Sequence, residues 1–383
     1  MIMLSRGMAI TALLCGSIWG QRYAITINAG TPDGAQLQAI GQQTDPAKKL
    51  ELMEKFVAEF PKSEGVAWVY SQIIPAYVAA NNLDKAGQAA NALLALHPED
   101  LEGPLAVLKG YEKVPNSAEA IKWSKTTWDT AKKQESAPKP NDAEEVKAWE
   151  GNQTYVRQVQ QYAEYSLMNQ AGMAKSATES LDSANALEKL NPQSQYLAQT
   201  TNAAFVALQR AGQTDKAVEL AEKTLARDPS NEEMLLVAAN HYMTKQNNEK
   251  ALNYATKLVE VMGTKQKPAA ISDEDWAKRK ATITGAGNWI SGMIYAQQNK
   301  LSPADKSLRE ALPTLTDDAM KGGALYQLGF VNFKMGEAAR DKKRLQEALR
   351  FSQQSAAIKS PYQATAAKNV AAIRAKIGPS AAK

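Results

Sequence analysis

The side chains that could do chemistry are few and scattered. The 383 residues hold two histidines, His97 and His241, and one cysteine, Cys15. Structural zinc sites draw on clustered Cys and His, and catalytic zinc often on H-E-x-x-H, so neither kind is expected here. The strand-turn nucleophile G-x-S-x-G is missing, as are the phosphate loop G-x-x-x-x-G-K-[ST] and a strand-borne G-x-G-x-x-G. The nearest glycine cluster, Gly285-Ala286-Gly287, lies in a helical pattern, where it permits close packing rather than phosphate contact. His97 precedes Pro98 at a helix end, where a protonated ring would favour the negative terminus. His241 adjoins Tyr242 and reads as a packing or solvent-facing ring. No catalytic residue, metal ligand or cofactor site is expected, so the chain reads as a binding protein and not an enzyme.

Binding needs a framework, and the stretch from Gln193 to Gly263 supplies its plan. On a shift of about 34 residues, Leu208 falls on Tyr242, Asp215-Lys216-Ala217 on Glu249-Lys250-Ala251, Ala221 on Ala255 and Pro229 on Gly263. Each copy carries two apolar stripes at helical spacing. In the second, Leu235, Ala238, Ala239 and Tyr242 form one, and Ala251, Ala255, Leu258 and Val259 the other, across the short polar turn Lys245 to Asn248. A helix pair joined so tightly folds back antiparallel. The small Ala251 lets the axes approach while Tyr242 fills the space beside it, and each pair leans on the next.

The same Tyr-then-Ala spacing recurs as Tyr77 and Ala86, Tyr111 and Ala120, Tyr295 and Ala304, and a proline follows second helices at Pro61, Pro98, Pro192 and Pro229. These residues resemble the tetratricopeptide repeat family, whose helix pairs carry an aromatic late in the first helix and Ala early in the second. The resemblance implies an all-α, right-handed superhelical solenoid over residues 35–377, of six or seven helix pairs including a C-terminal capping helix. It also implies that first helices line a concave groove. Carrying the register over gives Trp68, Gln72, Asn202, Gln209, Asn240, Trp289, Tyr326 and Phe330 as candidate groove contacts, with packing between repeats as the competing role for Trp68, Trp289 and Phe330. Trp123, Trp128, Trp149 and Trp276 read as core or edge residues.

Some members of that family hold a partner's terminal carboxylate with Lys, Arg and Asn on three successive first helices. The matching positions here hold Ser71, Pro75, Ala106, Asn202, Val206, Val237, Trp289 and Met293. With no cations there, recognition of internal segments or folded surfaces is expected instead. The implied partner is a protein or peptide. A glycan or small ligand stacked on groove aromatics is the alternative, favoured if aromatics cluster with carboxylates or amides.

Along the chain, Asp45-Pro46 supplies an N-cap and a first-turn proline. Residues 134–142 read as a Pro-rich inter-repeat loop. Asn141 or Asp142 caps a helix reaching Ala163 to Met168, Ser272 and Asp275 open another, and Ser302-Pro303-x-Asp305 caps the next. The run MGEAARDKKR, residues 335–344, reads as an insertion between the last two paired helices. Pro75 inside a helical pattern should bend it or remove a hydrogen bond.

Composition is ordinary for a globular chain, 44% hydrophobic and 22% charged, with net charge +5. That balance, without basic blocks interleaved with aromatics, points away from nucleic acid. Residues 1–20 read as a secretory signal: Arg6, then the apolar run Met8 to Trp19, too short to span a bilayer. Leu14 just before Cys15 argues against lipid attachment. Removal of the signal leaves net +4 and no cysteine, hence no disulfide. A loose lead over 21–34, a tail over 378–383, no transmembrane helix after cleavage, and a periplasmic or secreted location complete the expectation.

Overall fold

The computed structural model describes Tyr23, Ile25 and residues 27–377. The expected signal segment with Cys15, most of residues 21–26, and the tail at 378–383 therefore lie outside the described residues. Among the described residues the regular structure is entirely helical. The contacts group into two compact units, one ending at Ala207 and one starting at Leu208.

The first unit comprises α1 (Pro32–Gln42), α2 (Pro46–Glu59), α3 (Val66–Ala79), α4 (Leu83–Leu96), α5 (Glu102–Gly110), α6 (Ser117–Glu135), α7 (Ala143–Met173), α8 (Ala177–Leu190) and most of α9 (Leu197–Arg210). The second holds α10 (Thr214–Leu225), α11 (Glu232–Thr244), α12 (Asn248–Thr264), α13 (Asp273–Gln297), α14 (Leu301–Ala311), α15 (Asp318–Ala339), α16 (Lys342–Ala357) and α17 (Gln363–Ile377). Consecutive helices pack as pairs: α1 with α2, α3 with α4, α5 with α6 and α7 with α8 in the first unit. In the second unit the pairs are α11 with α12, α13 with α14 and α15 with α16. First helices of successive pairs also touch, α3 on α5 and α5 on α7, then α11 on α13 and α13 on α15. This is the all-α repeat architecture that the sequence implies.

Side-chain caps set many of the boundaries. Asp45 accepts from the amides of Ala47 and Lys48, with Pro46 at the first helical position. Asp142 caps α7, and Ser272 accepts from the Asp275 amide at 3.1 Å to open α13. These satisfy amide donors that a helix start leaves unpaired. Three expectations need correction. Ser302-Pro303 does not cap α14, which already begins at Leu301 after Lys300 without a side-chain cap. Its Asp305 is used instead to bind Arg309 and Asn332. The run 335–344 is largely helical rather than an insertion, because α15 continues to Ala339 and stops at Arg340 in the left-handed region, φ 52°. Helix α7 also outruns its expected end and reaches Met173.

One turn recurs at five helix ends. Asn81, Gly212, Gln246, Asn299 and Arg340 all adopt positive φ. In each case the next amide bonds back to a carbonyl five residues earlier: Asn82 to Tyr77, Gln213 to Leu208, Asn247 to Tyr242, Lys300 to Tyr295 and Asp341 to Gly336. This left-handed cap pairs helix-end carbonyls and reverses the chain at once. The repeat alanines then sit where helices meet, and Ala86, Ala120, Ala217, Ala251 and Ala304 are all fully buried.

The tyrosines in this pattern do more than fill space. Tyr77 donates to Glu54 of the preceding pair at 2.6 Å, and Lys85, just before Ala86, reaches the same oxygen at 2.6 Å. In the second unit Tyr242, Tyr254 and Lys250 all donate to one Glu222 oxygen, at 2.8, 2.9 and 3.0 Å. Burial pushes the Glu222 carboxyl up, but these donors outweigh it and hold the group below its ordinary value. Hydrogen bonding to Tyr242 and then to Glu222 raises the Lys250 ammonium. As a surface change, Lys250→Ala is expected from the sequence alone to be near neutral. The position of Lys250 in a Glu–Tyr–Lys bridge between helices makes its removal destabilising instead.

Glycines in α13 and α15 mark close approaches. A Cβ on Gly287 would lie 3.0 Å from the Ala255 carbonyl oxygen and 2.9 Å from a Val259 methyl. The close packing expected of the Gly285-Ala286-Gly287 cluster is therefore present, against α12.

Candidate functional site

The eight candidate contacts lie on α3, α9, α11, α13 and α15, and their environments differ. In the first unit Trp68 and Gln72 stand one turn apart on α3, both half-buried, and the Trp68 ring packs against the core. The Gln72 amide donates to Ser71 Oγ at 3.3 Å. Asn202 on α9 is exposed.

In the second unit Gln209 and Asn240 are exposed. The aromatic candidates there have partners. Trp289 donates its indole N–H to the Met320 carbonyl at 3.2 Å, and its ring packs into two neighbouring clusters. Tyr326 stacks on Tyr362, just before α17, with centroids 5.6 Å apart and planes at 27°. Phe330, one turn on, packs with Ala296, Ala304 and Val331, with the Lys334 ammonium 5.7 Å from its centroid. The free polar candidates are thus the amides, and the aromatic ones contribute part of a ring face.

A further set was missed from the sequence. On α7, Tyr155, Tyr162 and Tyr165 are half-buried, with Tyr162 one heptad beyond Tyr155 and hence on the same stripe. Tyr162 and Tyr165 lie 6.0 Å apart by centroid, and Tyr165 meets Tyr196, just before α9, edge-on at 6.0 Å. Carboxylates hold the hydroxyls: Tyr155 bonds Glu102, and Tyr162 donates to Glu112 at 3.1 Å. The Lys109 ammonium lies 5.7 Å from the Tyr162 ring centre. Asn169 donates to the Glu112 carbonyl at 2.7 Å, and Gln170 spans the Tyr111 and Val114 carbonyls at 2.8 and 3.0 Å. Burial first, then the Glu112 charge, drives the Tyr162 hydroxyl well above the ordinary tyrosine range, so it stays a neutral donor. The result is a rigid aromatic face edged by amides and carboxylates on the first-helix side of one pair. Its signal was the seven-residue tyrosine spacing, which the 34-residue register does not contain.

The histidines are spoken for. His97 Nδ1 lies 3.0 Å from Glu99, with its ring tilted over Tyr23 at 4.4 Å. His241 meets Tyr242 edge-on at 5.2 Å and Asp215 at 3.7 Å. Among the described residues no group of three or more His, Cys, Asp or Glu could hold a metal. No described helix is long and apolar enough to cross a membrane. Trp123 is fully buried, and Trp276 nearly so, as read from the sequence.

No protein-family model matches the chain, and no curated protein matches it in sequence. Among solved structures it is similar to the P58(IPK) TPR domain, at 11% identity over 90% of this chain and 97% of that one, TM-score 0.27. It is also similar to yeast Tom70, at 11% over 91% and 97%, TM-score 0.23. A third likeness is to Cut9 in the Cut9–Hcn1 complex of the APC/C, at 12% over 91% and 84%, TM-score 0.20. Overlap at that level carries no argument, and the fold assignment rests on the repeated helix pairs themselves.

Proposed function

We propose that the chain is an exported scaffold that holds a protein or peptide segment against the first helices of its repeats. The observation behind this reading is the row of touching first helices in the second unit, α11 on α13 and α13 on α15, with Asn240 exposed on the first of them. Exposed amides on rigid helices offer donors and acceptors to an extended backbone without the ordering cost of a flexible loop. Binding through such groups depends weakly on salt, because few exposed charge pairs take part. Affinity capture from the native envelope fraction tests it, with wild-type chain beside a Gln209→Lys and Asn240→Lys variant, both exposed positions of the second unit. A partner held by the wild type should be lost with this variant and kept by Lys216→Ala, which alters an exposed second-helix position. Equal capture by all three would contradict the reading.

Export rests on Arg6 followed by the apolar run Met8 to Trp19. Intact mass of the native protein should show a chain beginning near residue 21, and retention of Met1 would contradict export.

A second reading is supported by the tyrosine face of α7. Aromatic rings edged by Glu112, Glu102 and Asn169 suit a sugar ring, which stacks on its faces and bonds at its edge. Loss of oligosaccharide binding in Tyr165→Ala, with partner capture unchanged, would assign the two roles to separate helices.

A further inference from the structure

Charge is distributed unevenly along the chain. From Lys334 to Lys383 the sequence carries eleven Lys and Arg against three Asp and Glu, and no carboxylate side chain follows Glu347. The three carboxylates are already engaged. Asp341 caps α16 by accepting from the Lys343 and Arg344 amides. Glu337 pairs with Lys376 at 2.9 Å. Glu347 takes both ends of the Arg309 guanidinium, at 2.7 and 2.8 Å.

Topology gathers the remaining cations. Helices α15, α16 and α17 run back and forth, α16 packing against both of the others. The Glu337–Lys376 bridge fixes the last turn of α17 beside the α15–α16 turn. That end therefore presents Arg340, Lys342, Lys343 and Arg374, all exposed and without a carboxylate partner among the described residues. Lys343, Arg344 and Arg350, with the engaged carboxylates Asp341 and Glu347, line an open recess of about 480 Å³. The outward side of α17 continues the pattern with exposed Lys368 and, between the cations, exposed Ala367, Ala371 and Ala375. Methyl groups flanked by cations, without carboxylates, suit a helix lying against headgroups. No aromatic ring is exposed at this end, since Phe333 packs inward with Leu349 and Ile373. A nucleic-acid surface would call for rings on which bases stack.

We infer that this C-terminal three-helix end, the α15–α16 turn together with the outer side of α17, binds the headgroups of an anionic phospholipid surface. The contact is peripheral and electrostatic. It does not depend on the scaffold reading.

Co-sedimentation of the full chain with vesicles tests it, using phosphatidylcholine alone and phosphatidylcholine with phosphatidylglycerol. Binding is expected only with the anionic lipid, falling steeply as salt rises from about 50 to about 500 mM. The combined variant Lys342→Gln, Lys343→Gln, Arg374→Gln should bind on the order of a hundredfold more weakly, each cation near the surface contributing about a fivefold factor. Helical circular dichroism reports whether that variant is folded. Lys48→Gln with Lys55→Gln, exposed cations on α2, should bind as wild type does. Equal binding to neutral vesicles, or an unweakened triple variant, would overturn the inference. A short DNA duplex bound as tightly as the anionic vesicles would overturn it in favour of a nucleic-acid face.

Discussion

Ala251→Trp and Ala217→Trp should each lower stability by about 1–3 kcal/mol, and by more where the backbone cannot shift. Ala251 is fully buried in a cluster with Ala239, Ala255, Ile290 and Ile294, contributed by α11, α12 and α13. Ala217 is equally buried early in α10. An indole at either place overfills a fully buried site beside a left-handed turn that holds the two axes together. Chemical denaturation checks this, and unchanged midpoints for both variants would contradict the repeat register. Lys216→Ala, on an exposed position beside Ala217, should stay within about 0.5 kcal/mol of wild type.

Arg309→Met is the second large effect. Arg309 on α14 bonds Asp305 at 2.9 Å, both oxygens of Glu347 on α16, and Asn332 of α15 at 3.3 Å. Asn332 is fully buried and donates to Asp305 at 2.6 Å, so one guanidinium organises polar groups from three helices. Removing it leaves carboxylates and a buried amide under-paired. A fully buried pair would cost about 3–5 kcal/mol. The Arg309 side chain is 35% exposed, so solvent screening brings the expected loss to about 1–3 kcal/mol.

The pH dependence follows from Glu347, whose carboxyl the Arg309 hydrogen bond holds below its ordinary value. A lowered folded-state value stabilises above the unfolded pKa, about 4.3, and that stabilisation disappears as pH falls through the lowered value. The deficit of Arg309→Met should therefore be full at neutral pH and shrink below about pH 4. Denaturation at pH 7 and pH 3 checks it, and a deficit independent of pH would contradict the assignment. Arg350→Ala, which removes an exposed guanidinium and a long 3.4 Å contact, should be near neutral.

Much of this framework was legible because repeats use local chemistry. Asp45 before Pro46, Asp142, and Ser272 before Asp275 announce helix starts through amides that need acceptors. What the sequence concealed depends on distant partners. Ser302-Pro303 resembles a cap, yet proline fits anywhere in a first turn, and Leu301 had already started the helix. The charged run after Met335 reads as loop, but Gly336 lets Leu345 of α16 pack close and α15 continues.

The candidate site shows the same division. Asn202, Gln209 and Asn240 are exposed where the register puts them. Trp289 and Tyr326 also lie on first helices, but Met320 and Tyr362 claim part of each, and spacing alone cannot show that. The α7 tyrosines escaped notice because their stripe runs along one unusually long helix rather than between repeats.

Site-specific photocrosslinking puts the first-helix claim to the most direct test. A benzophenone amino acid placed singly at Gln209 and Asn240 of the second unit, and for comparison at second-helix Lys216 and Lys223, would be irradiated in native extract. The account predicts one partner band crosslinked from both first-helix positions and absent from both second-helix positions. A band from Lys216 or Lys223 alone, or the same band from all four, would contradict recognition through the first helices.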